Sequence, residues 1–184
     1  VHAEADFTLA GGTLNVTSSY EGLESAKIHI TGGSATVTTS DDGINGTSGA
    51  AQSGGGMNSV QTGVEVDMSG GTVVLDTGGD GLDSNGIATI TGGTMIVSGP
   101  TDNGNGALDV NGTFLVNGGT LIAVGSSGMM VAPATTSTQK WVAATFTAQK
   151  AGVVQIVSGQ TVLATFASTK AFASIVYSSA ELTV

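Results

Sequence analysis

The chain has 184 residues and no cysteine, and its 14 acidic and four basic residues give a formal net charge of −10 at pH 7. This charge excludes an ordinary nucleic-acid-binding surface, which needs a basic patch to neutralise phosphates. Thirty glycines and two prolines, with abundant Thr, Val and Ser, predict one domain built from short strands and tight turns rather than helices.

A repeated block organises the chain from its start. A Gly-Gly pair flanked by alternating residues recurs five times, at Gly11-Gly12, Gly32-Gly33, Gly70-Gly71, Gly92-Gly93 and Gly118-Gly119. Alternation with a period of two predicts strands with one buried face, and the glycines suit a positive-φ corner between consecutive strands. We therefore predict an all-β fold, a right-handed parallel β-helix (solenoid), in which the blocks stack on one another.

The alternation also assigns side chains to the two faces of the predicted strands. The inward residues are predicted to be Leu14, Val16, Ala35, Val37, Val73, Leu75, Met95, Val97, Leu121 and Ala123. The outward row between them changes from polar to apolar along the chain: Asn15, Thr36, Val74, Ile96 and Ile122. Because an exposed β-branched stripe favours aggregation, we expect another part of the chain to cover its later members.

Acidic residues recur at one place in successive blocks, in YEGLE (20–24), DDGIN (41–45), GDGLD (79–83) and NGALD (105–109). Alignment on the apolar residue of each motif puts Glu24, Asn45, Asp83 and Asp109 in one column. A neighbouring column then holds Glu21, Asp42 and Asp80. At a strand spacing of about 4.8 Å, two exposed carboxylates repel each other by roughly 1 kcal/mol in water.

A calcium ion would relieve this repulsion, because it binds carboxylate, amide, carbonyl and water oxygens. We therefore predict a calcium site in the acidic corner, defined here as Glu21, Glu24, Asp41, Asp42, Asn45, Asp80, Asp83 and Asp109. The alternative is that Asp, Asn and Gly recur only because they suit tight turns.

Two segments interrupt the repeat pattern. Gly46–Gly63 is rich in Gly and Ser and is predicted to be a flexible insertion. From Trp141 onward, apolar segments separated by polar residues predict a short antiparallel meander. We thus divide the chain into a β-helix at 1–139, with the insertion at 46–63, and a C-terminal antiparallel strand cap at 140–184. No apolar run has membrane-spanning length, so no membrane insertion is expected.

Longer motifs resemble a known family. YEGLES, SDDGIN, GDGLDSNG and the stretch from ITGGTMIV to AVGSSGM resemble the bacterial surface proteins usually called carbohydrate-binding-domain-containing proteins. The resemblance implies an extracellular, pectate-lyase-like β-helix that binds calcium and acidic or cellulosic polysaccharide at the cell surface. The chain opens on Val1 without a signal peptide, and we expect it to be part of a longer exported chain or surface assembly.

Three functions remain open from the sequence. The first is calcium-dependent binding of polysaccharide, uronate-rich or cellulosic, with Tyr20 and Lys27 as ligand contacts beside the acidic corner. The second is a calcium-dependent polysaccharide (pectate-type) lyase, for which Lys27 and His29 are the weak catalytic candidates because β-elimination needs a base. The third is a structural adhesin or filament segment in which calcium joins successive blocks.

Overall fold

The computed structural model describes residues 1–49 and 59–183, and the regular elements in these ranges are all β-strands. They are β1 (Asp6–Ser19), β2 (Leu23–Ser25), β3 (Lys27–Thr39), β4 (Ile44–Gly46), β5 (Glu65–Thr77), β6 (Leu82–Ser84), β7 (Ile87–Ser98), β8 (Leu108–Val110), β9 (Phe114–Val116), β10 (Thr120–Gly125), β11 (Trp141–Gln149), β12 (Gly152–Ser158), β13 (Thr161–Ser168) and β14 (Phe172–Ser178). Within those ranges no helix could cross a membrane. Residues 50–58 of the predicted insertion lie outside the described residues.

The largest sheet has eight strands in the order β1-β3-β5-β7-β10-β14-β11, with β9 also paired to β7. The strands from β1 to β10 pair in parallel, and successive repeats keep one register: Ala35 pairs with Val73, and Val73 with Met95. The predicted inward residues therefore stack on one another, as expected. The inward residues of the middle and late repeats are almost fully buried in the hydrophobic core, and Leu14 and Val16 of the first repeat pack against that core.

A second, parallel sheet has four short strands in the order β2-β4-β6-β8. Its apolar residues Leu23, Ile44, Leu82 and Leu108 are at most 1 % exposed and belong to the same hydrophobic cluster as the inward residues of the main sheet. The two sheets therefore face each other across one core. The polar side chains of the short strands lie on the opposite side, where the acidic corner is found.

The predicted right-handed parallel β-helix (solenoid) with a C-terminal antiparallel strand cap is wrong, although the fold is all-β. The sheets combine parallel and antiparallel pairing in a sandwich-like arrangement, because β14 pairs antiparallel with β10 and with β11. These C-terminal strands continue the main sheet instead of forming a cap outside it. The predicted meander is also not one unit, since β12 and β13 pair only with each other among the described strands.

The Gly-Gly pairs differ from the prediction in one respect. The second glycine of each pair has positive φ, for example 78° at Gly33 and 80° at Gly71. However, β1, β3, β5 and β7 each run through their pair without a break. A Cβ on Gly33 would lie 2.7 Å from the backbone of Gly11, so the glycines permit close contact between adjacent strands. They are irregularities within long strands, and only β9 and β10 are separated by a pair.

The C-terminal strands bury the apolar part of the outward row. Ile122 is 4 % exposed and clusters with Phe166, Phe172 and Tyr177, and Ile96 packs against the same cluster. Phe172 also makes an edge-to-face contact with Phe146, with ring centroids 5.7 Å apart. Val74 is half-buried and lines a cavity together with Ala167 and Thr169. This part of the chain therefore removes an aliphatic stripe from water.

We expect deletion of residues 140–184 to cause aggregation. The deletion would expose Ile122 and Val124, whose burial contributes roughly 1.5 to 3 kcal/mol each, and would remove β14, the antiparallel partner of β10. An uncovered apolar sheet edge pairs readily with other chains. Size-exclusion chromatography with light scattering measures the outcome. Val153→Ser, at a side chain that is 73 % exposed, is the control and should stay monodisperse; a soluble, monodisperse truncated chain would contradict the expectation.

Candidate functional site

The first predicted column of the acidic corner is present in the small sheet. Glu24 pairs with Asn45, Asn45 with Asp83, and Asp83 with Asp109, each in parallel register. All four side chains are half-buried, and the residues before and after each of them are buried. This burial pattern places three carboxylates and one amide in a line on the outer side of the small sheet.

The second predicted column forms a series of hydrogen bonds between repeats. The Asp42 carboxylate accepts a 2.7 Å bond from the Asp80 backbone N–H, and the Asp80 carboxylate accepts a 2.5 Å bond from the Gly106 backbone N–H. Glu21 accepts the Asp42 backbone N–H in the same way. Each carboxylate therefore joins one repeat to the next, which is a structural role that an exposed turn residue would not have.

Burial and crowding raise the pKa values of these carboxyl groups. Burial is the main cause of the rise to about 7 for Asp42, about 6 for Asp80 and about 8 for Asp83. Neighbouring carboxylates add to each rise, and burial also raises the pKa values of Glu21 and Asp109. The folded chain thus holds several acids whose ionised forms are unfavourable in the absence of a nearby positive charge.

Two buried acceptors in the corner have no hydrogen-bond partner, Glu21 Oε2 and Asn45 Oδ1. Asn45 also donates to Glu21, so the two side chains are in contact. Unpaired buried acceptors are costly, and acceptor oxygens are the ligands that calcium prefers. The residues present therefore fit a cation with oxygen ligands such as calcium, and Glu21 and Asn45 offer the two unpaired acceptors.

The corner does not hold a compact group of three carboxylates. Among residues 1–49 and 59–183, the three acidic or imidazole ligand atoms that approach within 4.8 Å of one another belong to His29, Glu65 and Asp67. A calcium ion in the corner would consequently need the Asn45 amide, backbone carbonyls or water to complete its coordination. Asp41 lies at the rim, where its carboxylate accepts the hydroxyl of Tyr20.

A polar cavity of about 190 Å³ adjoins the later part of the corner. Asp80, Asp83 and Asp109 line it together with Asn85, Asn105, Asn111, Gly104 and Met129. The Asn111 amide donates a 3.0 Å hydrogen bond to the Asn85 amide oxygen. Sequence reasoning missed these asparagines, although they follow Asp83 and Asp109 at the same spacing in their repeats, a signal that the alignment contained.

The chain start also reaches the corner, which the sequence did not indicate. His2 forms a bridge with Glu24 in the small sheet, and its Nδ1 lies 3.1 Å from Glu24 Oε2. The hydrogen bond with Glu24, followed by that with Glu4, raises the pKa of His2. Glu24 therefore already has a partner at its end of the column.

The remaining predicted residues divide between two places. Tyr20 is 69 % exposed and lies beside the corner. Lys27 and His29 instead lie on the outer face of the main sheet, where Lys27 Nζ is 3.6 Å from Glu65 Oε1 and His29 Nδ1 is 3.6 Å from Asp67 Oδ2. The structure thus places Tyr20 beside the acidic corner, whereas the acidic partners of Lys27 and His29 are Glu65 and Asp67, which lie outside it.

Comparison with known proteins gives one family. A model of carbohydrate-binding domain-containing proteins matches residues 2–104, more than half of the chain, which includes the acidic corner as far as Asp83. No curated protein and no solved structure matches the chain. The predicted resemblance is confirmed for the family, whereas the pectate-lyase-like β-helix that it implied is not supported. The chain belongs to the carbohydrate-binding domain-containing protein family.

Proposed function

We propose that the chain binds polysaccharide at the cell surface, outside the cell, in a calcium-dependent manner through the acidic corner. The observation that carries the proposal is the pair of unpartnered buried acceptors, Glu21 Oε2 and Asn45 Oδ1, beside carboxyl groups with raised pKa values. The family match supports the carbohydrate part, since it spans most of these residues.

The residues of the acidic corner would have two different roles in binding the cation and the sugar. Glu21, Asn45 and Asp83 supply ligand oxygens, while Asp42 and Asp80 fix the spacing of the repeats through their bonds to backbone N–H groups. When bound, calcium would supply a bridge between protein carboxylates and the carboxylates of a uronate polymer. Such a bridge explains how a chain of net charge −10 can hold an acidic polysaccharide, which repels it otherwise.

Neighbouring groups suit the uncharged parts of a sugar chain. Asn85 and Asn111 present amides in the polar cavity beside Asp83, and such amides can pair with sugar hydroxyls. Tyr20 offers an exposed aromatic ring at the other end of the corner, and an aromatic face can pack against a sugar ring. These contacts would serve a cellulosic chain as well, so calcium dependence is the feature that favours a uronate polymer.

We expect calcium to be required for binding of polygalacturonate. In affinity electrophoresis or titration calorimetry with calcium, the wild type should bind polygalacturonate more tightly than cello-oligosaccharides, and chelator should remove the difference. Asp83→Asn should weaken polygalacturonate binding by about 10-fold or more, the size of effect expected when one buried charged ligand is lost.

Glu181→Gln is the charge-matched control, because Glu181 is an exposed acid after β14. It should bind as the wild type does. Equal polygalacturonate binding with and without chelator, or by Asp83→Asn and wild type, would contradict the proposal. The lyase alternative gains no support from the structure, because its candidate bases Lys27 and His29 contact Glu65 and Asp67 on the main sheet.

A further inference from the structure

We propose that His29, Glu65 and Asp67 form a second metal site, on the outer face of the main sheet, that takes a divalent transition-metal ion of the zinc type. Each residue offers one ligand atom, and the three atoms lie within 4.8 Å of one another. The site shares no residue with the acidic corner and does not depend on the proposed calcium binding.

The backbone holds the three side chains together. His29 on β3 is paired directly with Asp67 on β5, and Glu65 lies two residues before Asp67, so all three point to the same side of the sheet. The intervening residues Ile28 and Val66 are 0 % and 2 % exposed, which fixes both strands on the core. A site built on paired strands keeps its geometry better than one built on loops.

The distances suit a small ion with nitrogen and oxygen ligands. Zinc binds imidazole nitrogen and carboxylate oxygen at about 2.0 to 2.2 Å, so two of its ligand atoms lie roughly 3.4 Å apart in a tetrahedron. His29 Nδ1 is 3.6 Å from Asp67 Oδ2, and His29 Nε2 is 3.9 Å from Glu65 Oε1. The two distances involve different ring nitrogens, so only one of these nitrogens would bind the ion together with Glu65 and Asp67, after a small movement of ligand atoms that lie within 4.8 Å of one another. A fourth tetrahedral position would stay open for water.

The kind of ligand decides between metal classes. Calcium favours an all-oxygen shell, whereas imidazole favours zinc, nickel, cobalt or copper. The chain has no cysteine and two histidines, so an imidazole-dependent site must use His29 or His2. Thr89 on the neighbouring strand hydrogen-bonds Asp67, and an outer partner of this kind orients a metal-binding carboxylate.

Lys27 would compete with the metal ion for the Glu65 carboxylate. Its ammonium lies 3.6 Å from Glu65 Oε1 and is 45 % exposed, so it can move into solvent when a cation binds. Glu65 and Asp67 lie two residues apart on the same side of β5, so their ionised carboxylates repel each other. A doubly charged ion would neutralise both carboxylates, which Lys27 alone does not.

The test is a calorimetric titration of the chelator-treated chain with Zn²⁺ near neutral pH. We expect one Zn²⁺ per chain at this site, and His29→Gln should weaken binding by at least about 10-fold, the lower end of losses seen when even an outer-shell partner is removed. Lys27→Gln should strengthen binding by about threefold to 10-fold, because it removes a like charge beside the ion. Circular dichroism of the metal-free variants checks that they fold.

His2→Gln is the matched control, because His2 also lies between two carboxylates, Glu4 and Glu24. It should keep wild-type affinity for Zn²⁺. The proposal is overturned if the wild type binds no Zn²⁺, if His29→Gln binds as tightly as wild type, or if His2→Gln removes the binding instead.

Discussion

We expect Gly81→Ala to destabilise the fold by about 3 kcal/mol, the upper part of the range for an overfilled core position. Gly81 is buried immediately before β6 in the small sheet, between Asp80 and Leu82. A Cβ at this position would lie 2.2 Å from Val97 Cγ1 and 2.4 Å from the Ala107 carbonyl oxygen. Backbone oxygen cannot move aside as a flexible side chain can, so the small sheet would have to separate from its neighbours.

Urea denaturation followed by circular dichroism measures this change. Gly11→Ala is the matched control, because nothing lies within 4 Å of a Cβ built on Gly11, and its effect should stay within about 1 kcal/mol. Equal midpoints for Gly81→Ala and wild type would show that the repeats are packed less tightly at the acidic corner than the structure indicates.

We expect Asp83→Asn to stabilise the calcium-free chain at pH 8 and to reduce the stabilisation caused by calcium. The pKa of Asp83 is raised from 3.8 to about 8, chiefly by burial and then by the charge of Asp42. Between these two pH values the folded carboxyl keeps a proton that the unfolded one has lost. Stability of the calcium-free wild type therefore falls as the pH rises through this interval.

The asparagine side chain has no charge to bury, so the variant should lose the part of this pH dependence that Asp83 contributes, while Asp42 and Asp80, whose pKa values are also raised, keep theirs. We expect a gain of at least about 1 kcal/mol over wild type at pH 8 without calcium, since one pKa unit corresponds to 1.36 kcal/mol. Calcium should raise the melting temperature of wild type more than that of Asp83→Asn. Melting curves at several pH values, with calcium or chelator, measure both effects.

Glu181→Gln again serves as the control and should leave the response to calcium unchanged. If Asp83→Asn were less stable than wild type at pH 8 without calcium, Asp83 would be contributing a favourable interaction in its ionised form. That result would contradict the raised pKa. An unchanged response to calcium would remove Asp83 from the proposed ligands.

Part of this fold could be predicted because it depends on local pattern. The period of two marked residues such as Val37 and Val73 as buried, and the recurrence of the motifs placed Asp83 beside Asp109. The prediction that the Gly-Gly pairs form corners between consecutive strands was wrong because positive φ is compatible both with a corner and with an irregularity inside a strand. Sequence alone did not distinguish these two uses.

The order of strands in the mixed sheet depends on contacts between distant residues. The pairing of β14 between β10 and β11 joins segments that share no motif, so apolar alternation could not assign their order. His29 and Asp67, by contrast, each lie three residues before the first glycine of their Gly-Gly pair, so the repeat alignment contains the register that pairs them, a signal that sequence reasoning missed. The contact of His2 with Glu24, like the strand order, depends on the position of the chain start in the folded chain, which no motif in the sequence indicates.

The hydrogen bonds between repeats provide internal reporters for nuclear magnetic resonance. The Asp80 amide donates to the Asp42 carboxylate, and the Gly106 amide donates to the Asp80 carboxylate. The chemical shift of each amide proton should therefore follow the titration of a different acid, with midpoints near 7 for Asp42 and 6 for Asp80. Two backbone resonances would thus resolve a coupled titration that bulk potentiometry records only as a sum.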